Sequence, residues 1–208
     1  MEMYMKLLFW FITSLSLSAP SFADKVYYKE TETLRYSVES TLAENVEIRV
    51  YPASVAVAAY GDGQSEPFRK LFNYISGANR SNEDIAMTSP TESRQKEQKS
   101  TKIAMTAPVE MVPGGEMMFF LPDQYDMTNA PLPTGDGVSL VEVPKRKVAA
   151  IRFSGLASQS KRQRYAEALI QVVRENGMKI AGDTSYLGYD SPFTLPWNKR
   201  HEIIIPVE

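Results

Sequence analysis

The amino-acid sequence predicts an α+β fold of two pseudo-repeated halves: an antiparallel curved sheet or distorted β-barrel with two flanking helices. Three observations predict it. Short runs with apolar residues on every second position recur along the chain, the pattern of half-buried strands. Two longer segments, near 65–75 and 158–176, repeat their apolar residues at helical spacing instead. The order strands, helix, strands then occurs twice, so each half supplies one helix whose apolar stripe can cover the sheet.

The elements follow in order. Val46, Ile48 and Val50 alternate with polar neighbours and predict a strand that Pro52 interrupts, because proline has no N–H to donate. Ala53–Tyr60 is a second strand, and Gly61-Asp62-Gly63 a turn. A helix over Ser65–Ile75 carries Phe68, Leu71, Phe72 and Ile75 on one face, with Pro67 in its first turn, where a missing N–H costs little. Gly77 and Asn79 suit the left-handed conformation that stops a helix. Ile85–Pro90 is then echoed by Ile103–Pro108, and the polar stretch Thr91–Lys102 between them predicts a long hairpin of two similar strands. Strands are expected at Met117–Leu121, Val138–Val143 and Lys147–Phe153, with a proline-containing loop over Pro122–Gly137. The second helix, Ser158–Asn176, places Tyr165, Ala168, Leu169, Val172 and Val173 inward, and Arg162, Arg164, Glu167, Gln171 and Glu175 outward. Thr184–Tyr189 and Arg200–Val207 close the sheet.

Composition excludes more chemistry than it suggests. The 208 residues suffice for one domain with a substantial core. A net charge of −2 gives no broad attraction to nucleic acid, nor to anionic lipid by charge alone. The absence of cysteine removes disulfides, thiolate nucleophiles, thiolate haem ligands, Fe–S clusters and Cys-type zinc sites. With His201 the only histidine, neither a multi-His metal site nor a bis-His haem site can form within one chain.

The N-terminus reads as a signal peptide over residues 1–23. Lys6 precedes an apolar stretch, Leu7–Leu17, and Ser21-Phe22-Ala23 places small residues at a cleavage site. The apolar run is shorter than the roughly 20 residues of a membrane span. The expectation is an exported, periplasmic or secreted protein with one mature domain, 24–208, and no stable membrane insertion after cleavage; an uncleaved anchor is the alternative.

Several segments, taken in order, resemble the SOUL haem-binding family. They are Val46–Ala53, Leu71–Asn79, Lys102–Val109, Phe119–Pro122, Pro131-Leu132-Pro133, Ala149–Gly155, Gly188-Tyr189-Asp190 with Pro192, and Arg200–Glu202. The set spans nearly the whole mature chain, and its specificity lies in the order rather than in any one segment. The resemblance implies a distorted barrel of two pseudo-repeated halves, and a shallow apolar site for haem or a related porphyrin near the first helix. Similar folds serve as effector-binding domains for varied small molecules.

The candidate cofactor-binding residues are Phe68, Arg69, Leu71, Phe72, Met87 and Met105. The methionines are polarisable and suit either a flat ring or a gap in the core. By the resemblance the first helix lines the site, where a basic side chain could pair with a propionate. Arg69 and Lys70, however, are adjacent and point about 100° apart, so both cannot face one ligand; ordinary solvated charges are the alternative. Asn73 stands where haem-binding relatives can carry a basic residue. His201, between Arg200 and Glu202, reads as surface or edge-strand packing, which leaves tyrosine, methionine or no protein group as axial ligand to any haem. Asp190, in Tyr-Asp-Ser-Pro, reads as a turn held by its side chain. No nucleophile–base pattern and no phosphate loop is present.

The functional expectation is a non-enzymatic carrier, buffer or scavenger of haem or another tetrapyrrole outside the cytoplasm. A binding module for another small apolar or cationic ligand, or for a protein partner, is the alternative. An enzyme acting on tetrapyrroles comes third, its acid–base work falling to carboxylates or tyrosines. The sequence leaves the oligomeric state open.

Overall fold

A computed structural model describes residues 26–82 and 99–208. A hairpin of β1 (Val26–Tyr28) and β2 (Thr31–Thr33) precedes β3 (Ser37–Ala43), β4 (Val46–Tyr51), β5 (Ser54–Tyr60), α1 (Ser65–Ile75) and the two-residue β6 (Asn79–Arg80). Then come β7 (Val109–Met111), β8 (Glu116–Phe120), β9 (Leu132–Pro133), β10 (Val138–Val143), β11 (Arg146–Phe153), α2 (Gln159–Glu175), β12 (Ser185–Gly188) and β13 (His201–Pro206). The signal-peptide segment, the first copy of the internal echo and Met87 lie outside the described residues.

Nine strands form one antiparallel sheet in the order β10-β5-β8-β7-β12-β13-β11-β4-β3. The order is symmetric about the β7–β12 seam. On one side stand β7, β8, β5 and β10, and on the other β12, β13, β11 and β4, with β3 added as a ninth strand beyond β4. The first strand of each pseudo-repeat lies beside the other half: β10 pairs with β5 at one edge, and β4 pairs with β11, with β3 beyond it at the other edge.

This exchange forces the sheet to curl. β4 and β5 stand six places apart, which in a flat sheet would be about 29 Å. Only Pro52 and Ala53 join them, a link that reaches about 11 Å at most. Pro144 and Lys145 impose the same limit on β10 and β11. Two short links therefore draw the sheet into a strongly curved half-barrel.

Alternation along the strands divides the core. Val55, Val57 and Ala59 of β5, with Met117 and Phe119 of β8, pack beneath α1. Ala149, Ile151 and Phe153 of β11, with Ile203 and Ile205 of β13, pack beneath α2. The intervening residues, among them Ala56, Ala58, Phe120, Val148, Ala150 and Ile204, fill the concave face. Leu169 and Val173 of α2 are fully buried, worth about 1.5–3 kcal/mol each. Ser158 caps that helix by accepting from the Lys161 N–H at 3.3 Å.

The concave face also holds charge. Glu202 of β13 accepts from Arg49 at 2.7 and 3.3 Å, Arg200 at 2.8 and 3.0 Å, Arg152 at 3.3 Å and the Tyr189 hydroxyl at 2.9 Å. Nearby, Glu110 of β7 pairs with both terminal nitrogens of Arg146.

Four expectations are corrected. Ile103–Pro108 is not a regular strand: its backbone is bonded piecemeal, Ile103 N–H to the Ile75 carbonyl and Ala107 to Glu32 and Leu34. Asn79 does not stop α1 but lies in β6, its buried amide joining the Tyr74 carbonyl to Thr101. Gly77, with φ of +122°, supplies the reversal instead. Finally, the buried stripe of α1 is Pro67, Leu71, Tyr74 and Ile75, which turns Phe72 outward, and Ala168 of α2 is exposed.

Candidate functional site

The helices leave β7 and β12 uncovered between them. α1 packs on β5, β8 and β10, and α2 on β11 and β13. The seam between the two halves thus becomes the floor of a cleft with a helix on each side. Its volume is about 390 Å³, within the roughly 300–1,000 Å³ of small-molecule sites.

One wall is apolar. Phe68 of α1 meets Phe119 edge to face at 5.3 Å, and Val109, Met111 and Met117 continue the surface across β7 and β8. Gly188 of β12 keeps the floor open. A Cβ there would lie 3.4 Å from the Tyr186 ring and hydroxyl.

The opposite wall is polar. Arg162 of α2 lays its guanidinium over the Tyr186 ring, 4.8 Å from the centroid. With its amide suitably turned, Gln64 accepts from both terminal Arg162 nitrogens at 3.0 Å. The Arg162 Nε is buried without a hydrogen-bond partner, and no described carboxylate pairs with this cation. Burial pushes the Tyr186 hydroxyl up to about 12 despite the nearby Arg162, so it stays protonated.

His201 lines the same wall. It is buried in an inner strand, neither at the surface nor on an edge. Its Nε2 donates to the Gly155 carbonyl at 3.0 Å, and Nδ1 accepts from the Tyr186 hydroxyl at 2.6 Å. Both ring nitrogens are therefore engaged. Burial lowers its pKa below the usual histidine value, an effect that the Gly155 carbonyl opposes. Asp190, at the rim, accepts from the Arg200 N–H at 2.7 Å and the Tyr28 hydroxyl at 3.1 Å and pairs with Lys29. It holds its loop, as the sequence suggests.

Of the six residues nominated from sequence, Met87 lies outside the described residues, and of the other five only Phe68 lines the cleft. Leu71 is fully buried on the sheet-facing side of α1, and Phe72, Arg69 and Met105 face outward. Lys70 is held by Glu66 at 2.8 Å and the Tyr60 carbonyl at 2.9 Å. Sequence reasoning missed Arg162, Met111, Met117 and Tyr186. For Arg162 a signal existed: Tyr165, Ala166, Leu169 and Val173 follow it at i+3, i+4, i+7 and i+11, so it heads the inward stripe of α2.

A wider depression of about 650 Å³ lies at the rim of β3, β4 and β11. Two of its three cations are already paired, Lys147 with Glu39 at 2.7 Å and Arg146 with Glu110 at 3.0 Å, and the third, Lys145, stands exposed in solvent rather than buried against an apolar wall. The inter-helical cleft, with an apolar wall and a cation lacking an acidic partner, is the better ligand site.

The SOUL heme-binding protein family model matches residues 31–99 and again 93–206. The chain belongs to the SOUL haem-binding family. The first match spans β2 to β6 with α1 and the second β7 to β13 with α2, so each matched segment contains one helix. No curated protein matches the chain. Among solved structures, a hydrolase from Listeria innocua is 12% identical, covering 82% of this chain and 94% of its own, with a TM-score of 0.50. An uncharacterized conserved protein from the same organism is also 12% identical, covering 79% and 92%, with a TM-score of 0.50. At this identity the likeness concerns the fold alone.

Proposed function

We propose that the protein binds haem or a related tetrapyrrole in the cleft between α1 and α2, as a non-enzymatic carrier, buffer or scavenger outside the cytoplasm. One observation carries the reading: an apolar wall of Phe68, Val109, Met111 and Met117 faces Arg162, a cation without a described acidic partner. A porphyrin has the complementary make-up, a flat apolar face with carboxylates at its edge. Family membership supports the same ligand class.

The residues present fit a porphyrin better than they fit strong axial ligation. Arg162 would hold a propionate, the apolar wall would exclude water from one face, and haem would supply the redox-active iron. His201 reaches a metal only by giving up its bond to Gly155 or Tyr186. The thioethers of Met111 and Met117 line the cleft and are the softer alternative. The export assignment rests on Lys6, Leu7–Leu17 and Ser21-Phe22-Ala23. Mass spectrometry of the chain isolated from its native compartment tests it, with a start at Asp24 expected.

Haemin titration tests the function. A shifted Soret band and quenched protein fluorescence are expected. A charge-assisted hydrogen bond is worth about 1.5–3 kcal/mol, so Arg162→Met should weaken haemin binding about 10–150-fold. Haemin dimethyl ester, lacking free carboxylates, should bind wild type and variant alike. Equal haemin affinity in the two proteins, or a Soret band unchanged from free haemin, would overturn the proposal.

A further inference from the structure

Beside the cleft mouth, two loops display large apolar side chains to solvent. Phe193 is 95% exposed, Trp197 69%, Leu156 68% and Leu195 52%. The loops are tied together, since the Gly155 N–H donates to the Pro196 carbonyl at 2.9 Å. They are also ordered internally. Thr194 N–H bonds Ser191, Asn198 bonds Leu195, Lys199 Nζ bonds the Pro192 carbonyl at 3.0 Å, and Lys29 reaches the Asn198 carbonyl at 3.2 Å. The exposure therefore belongs to a built surface. Four large apolar residues on two joined loops form the kind of patch that marks an interaction site.

The charge around this patch differs from that of the chain. The protein carries a net −2, yet residues 154–164 and 191–201 contain no acidic residue and include Lys161, Arg162, Arg164, Lys199 and Arg200. Arg162 points into the cleft and Arg200 is paired with Glu202. Lys161 and Lys199 bond only carbonyl oxygens, Ser154 at 2.6 Å and Pro192 at 3.0 Å, so their charges remain free of described acids. Arg164 is exposed on the first half of α2. Protruding Trp, Phe and Leu set among uncompensated cations is the composition of a membrane–water interface, where aromatic rings sit at headgroup level and cations meet anionic lipid.

We propose that the 155–157 and 191–199 loops dock on the surface of an anionic lipid bilayer, with Phe193, Leu195, Trp197 and Leu156 entering the headgroup region and Lys161, Arg164 and Lys199 facing lipid phosphates. The low net charge gives no general adhesion to lipid, but here apolar contact and local charge act together. Ala157, Pro192 and Lys199 also line the cleft, so docking sets the cleft mouth at the lipid surface. An apolar ligand could then pass between bilayer and protein without crossing open water.

The test uses the full chain in a Trp10→Phe background, which leaves Trp197 as the sole tryptophan. Vesicles of phosphatidylcholine with about 30% phosphatidylglycerol should shift Trp197 emission to the blue, and lipids brominated high in the acyl chain should quench it. Vesicles of phosphatidylcholine alone should do so far less. In co-sedimentation, Phe193→Ser should weaken binding about tenfold or more. Lys161→Gln and Lys199→Gln should weaken it about fivefold each. Phe193 is almost wholly exposed, so an unchanged thermal melt shows that its variant is folded. Trp197 emission indifferent to anionic vesicles would overturn the proposal. So would sedimentation equal in wild type and Phe193→Ser, which would assign binding to the apolar N-terminal stretch. A dimer in solution that Phe193→Ser dissolves, without lipid binding, would assign the patch to a second copy of the chain and overturn it as well.

Discussion

Replacing Glu202 by glutamine should destabilise the fold by about 3–5 kcal/mol, the cost of breaking a buried ion pair from one side. The carboxylate is 0% exposed and accepts six hydrogen bonds, from Arg49, Arg200, Arg152 and Tyr189. Glutamine matches its shape but removes the charge and turns an NH₂ group toward donors. Arg49, itself 1% exposed, then retains among the described residues only Glu47 at 2.7 Å as an ion partner. At about 2–4 °C per kcal/mol for a domain of this size, the midpoint should fall by roughly 6–20 °C. Urea and thermal unfolding followed by far-UV circular dichroism measure both quantities. Glu47→Gln, at the partly exposed end of the pair, should cost about 1 kcal/mol or less. The pH dependence supplies a second readout. Burial alone would raise the Glu202 pKa, but Arg49 and then Arg200 outweigh it and hold it below the usual 4.5. A depressed carboxylate pKa contributes stability above the unfolded value, lost as pH falls through the folded one. Wild type should therefore lose stability steeply below about pH 4.5, and Glu202→Gln less steeply. A variant within 1 kcal/mol of wild type, with the same acid limb, would refute the reasoning.

His201 is the only histidine, so its ring resonances give an unambiguous NMR titration. The midpoint should lie below 6.5, and stability should decline as pH falls from 6.5 toward that midpoint, because the unfolded chain takes up the proton first. Phe68→Ala should weaken haemin binding about 10–100-fold, whereas Phe72→Ala, one turn along and facing outward, should leave it unchanged in the same titration. Ser158→Ala removes the cap of α2 and should cost about 1 kcal/mol in urea unfolding.

Most of the fold was legible because strand and helix periodicities are local properties. The periodicity predicts α1 over the residues it occupies, and predicts α2 over Ser158–Asn176, whose two end residues are the caps of the observed Gln159–Glu175 helix. What escaped were features set by distant partners. Ile103–Pro108 has strand-like composition, yet Ile75, Glu32 and Leu34 take its backbone bonds. The β1–β2 hairpin is too short to leave a pattern. The cleft was legible only through Phe68 and the family resemblance. Its other walls come from β7, β8, β12 and α2, brought together by the meeting of the two halves, which no local period encodes. Arg162 shares its charge with the outward-facing Arg164, Glu167 and Glu175, so charge alone places it on the outer face of α2. Its spacing to Leu169 and Val173 was the better guide.

The exchange of first strands between the halves has a consequence for how the molecule comes apart. Neither half is a self-sufficient lobe. Cutting the molecule at its midline would leave each lobe clasping an orphaned strand of the other while missing its own. Loss of order at either outer edge should therefore spread through both, and denaturation should proceed as one event rather than two. A guest seated on the midline touches both lobes, so its affinity would tighten the whole interlocked body at once.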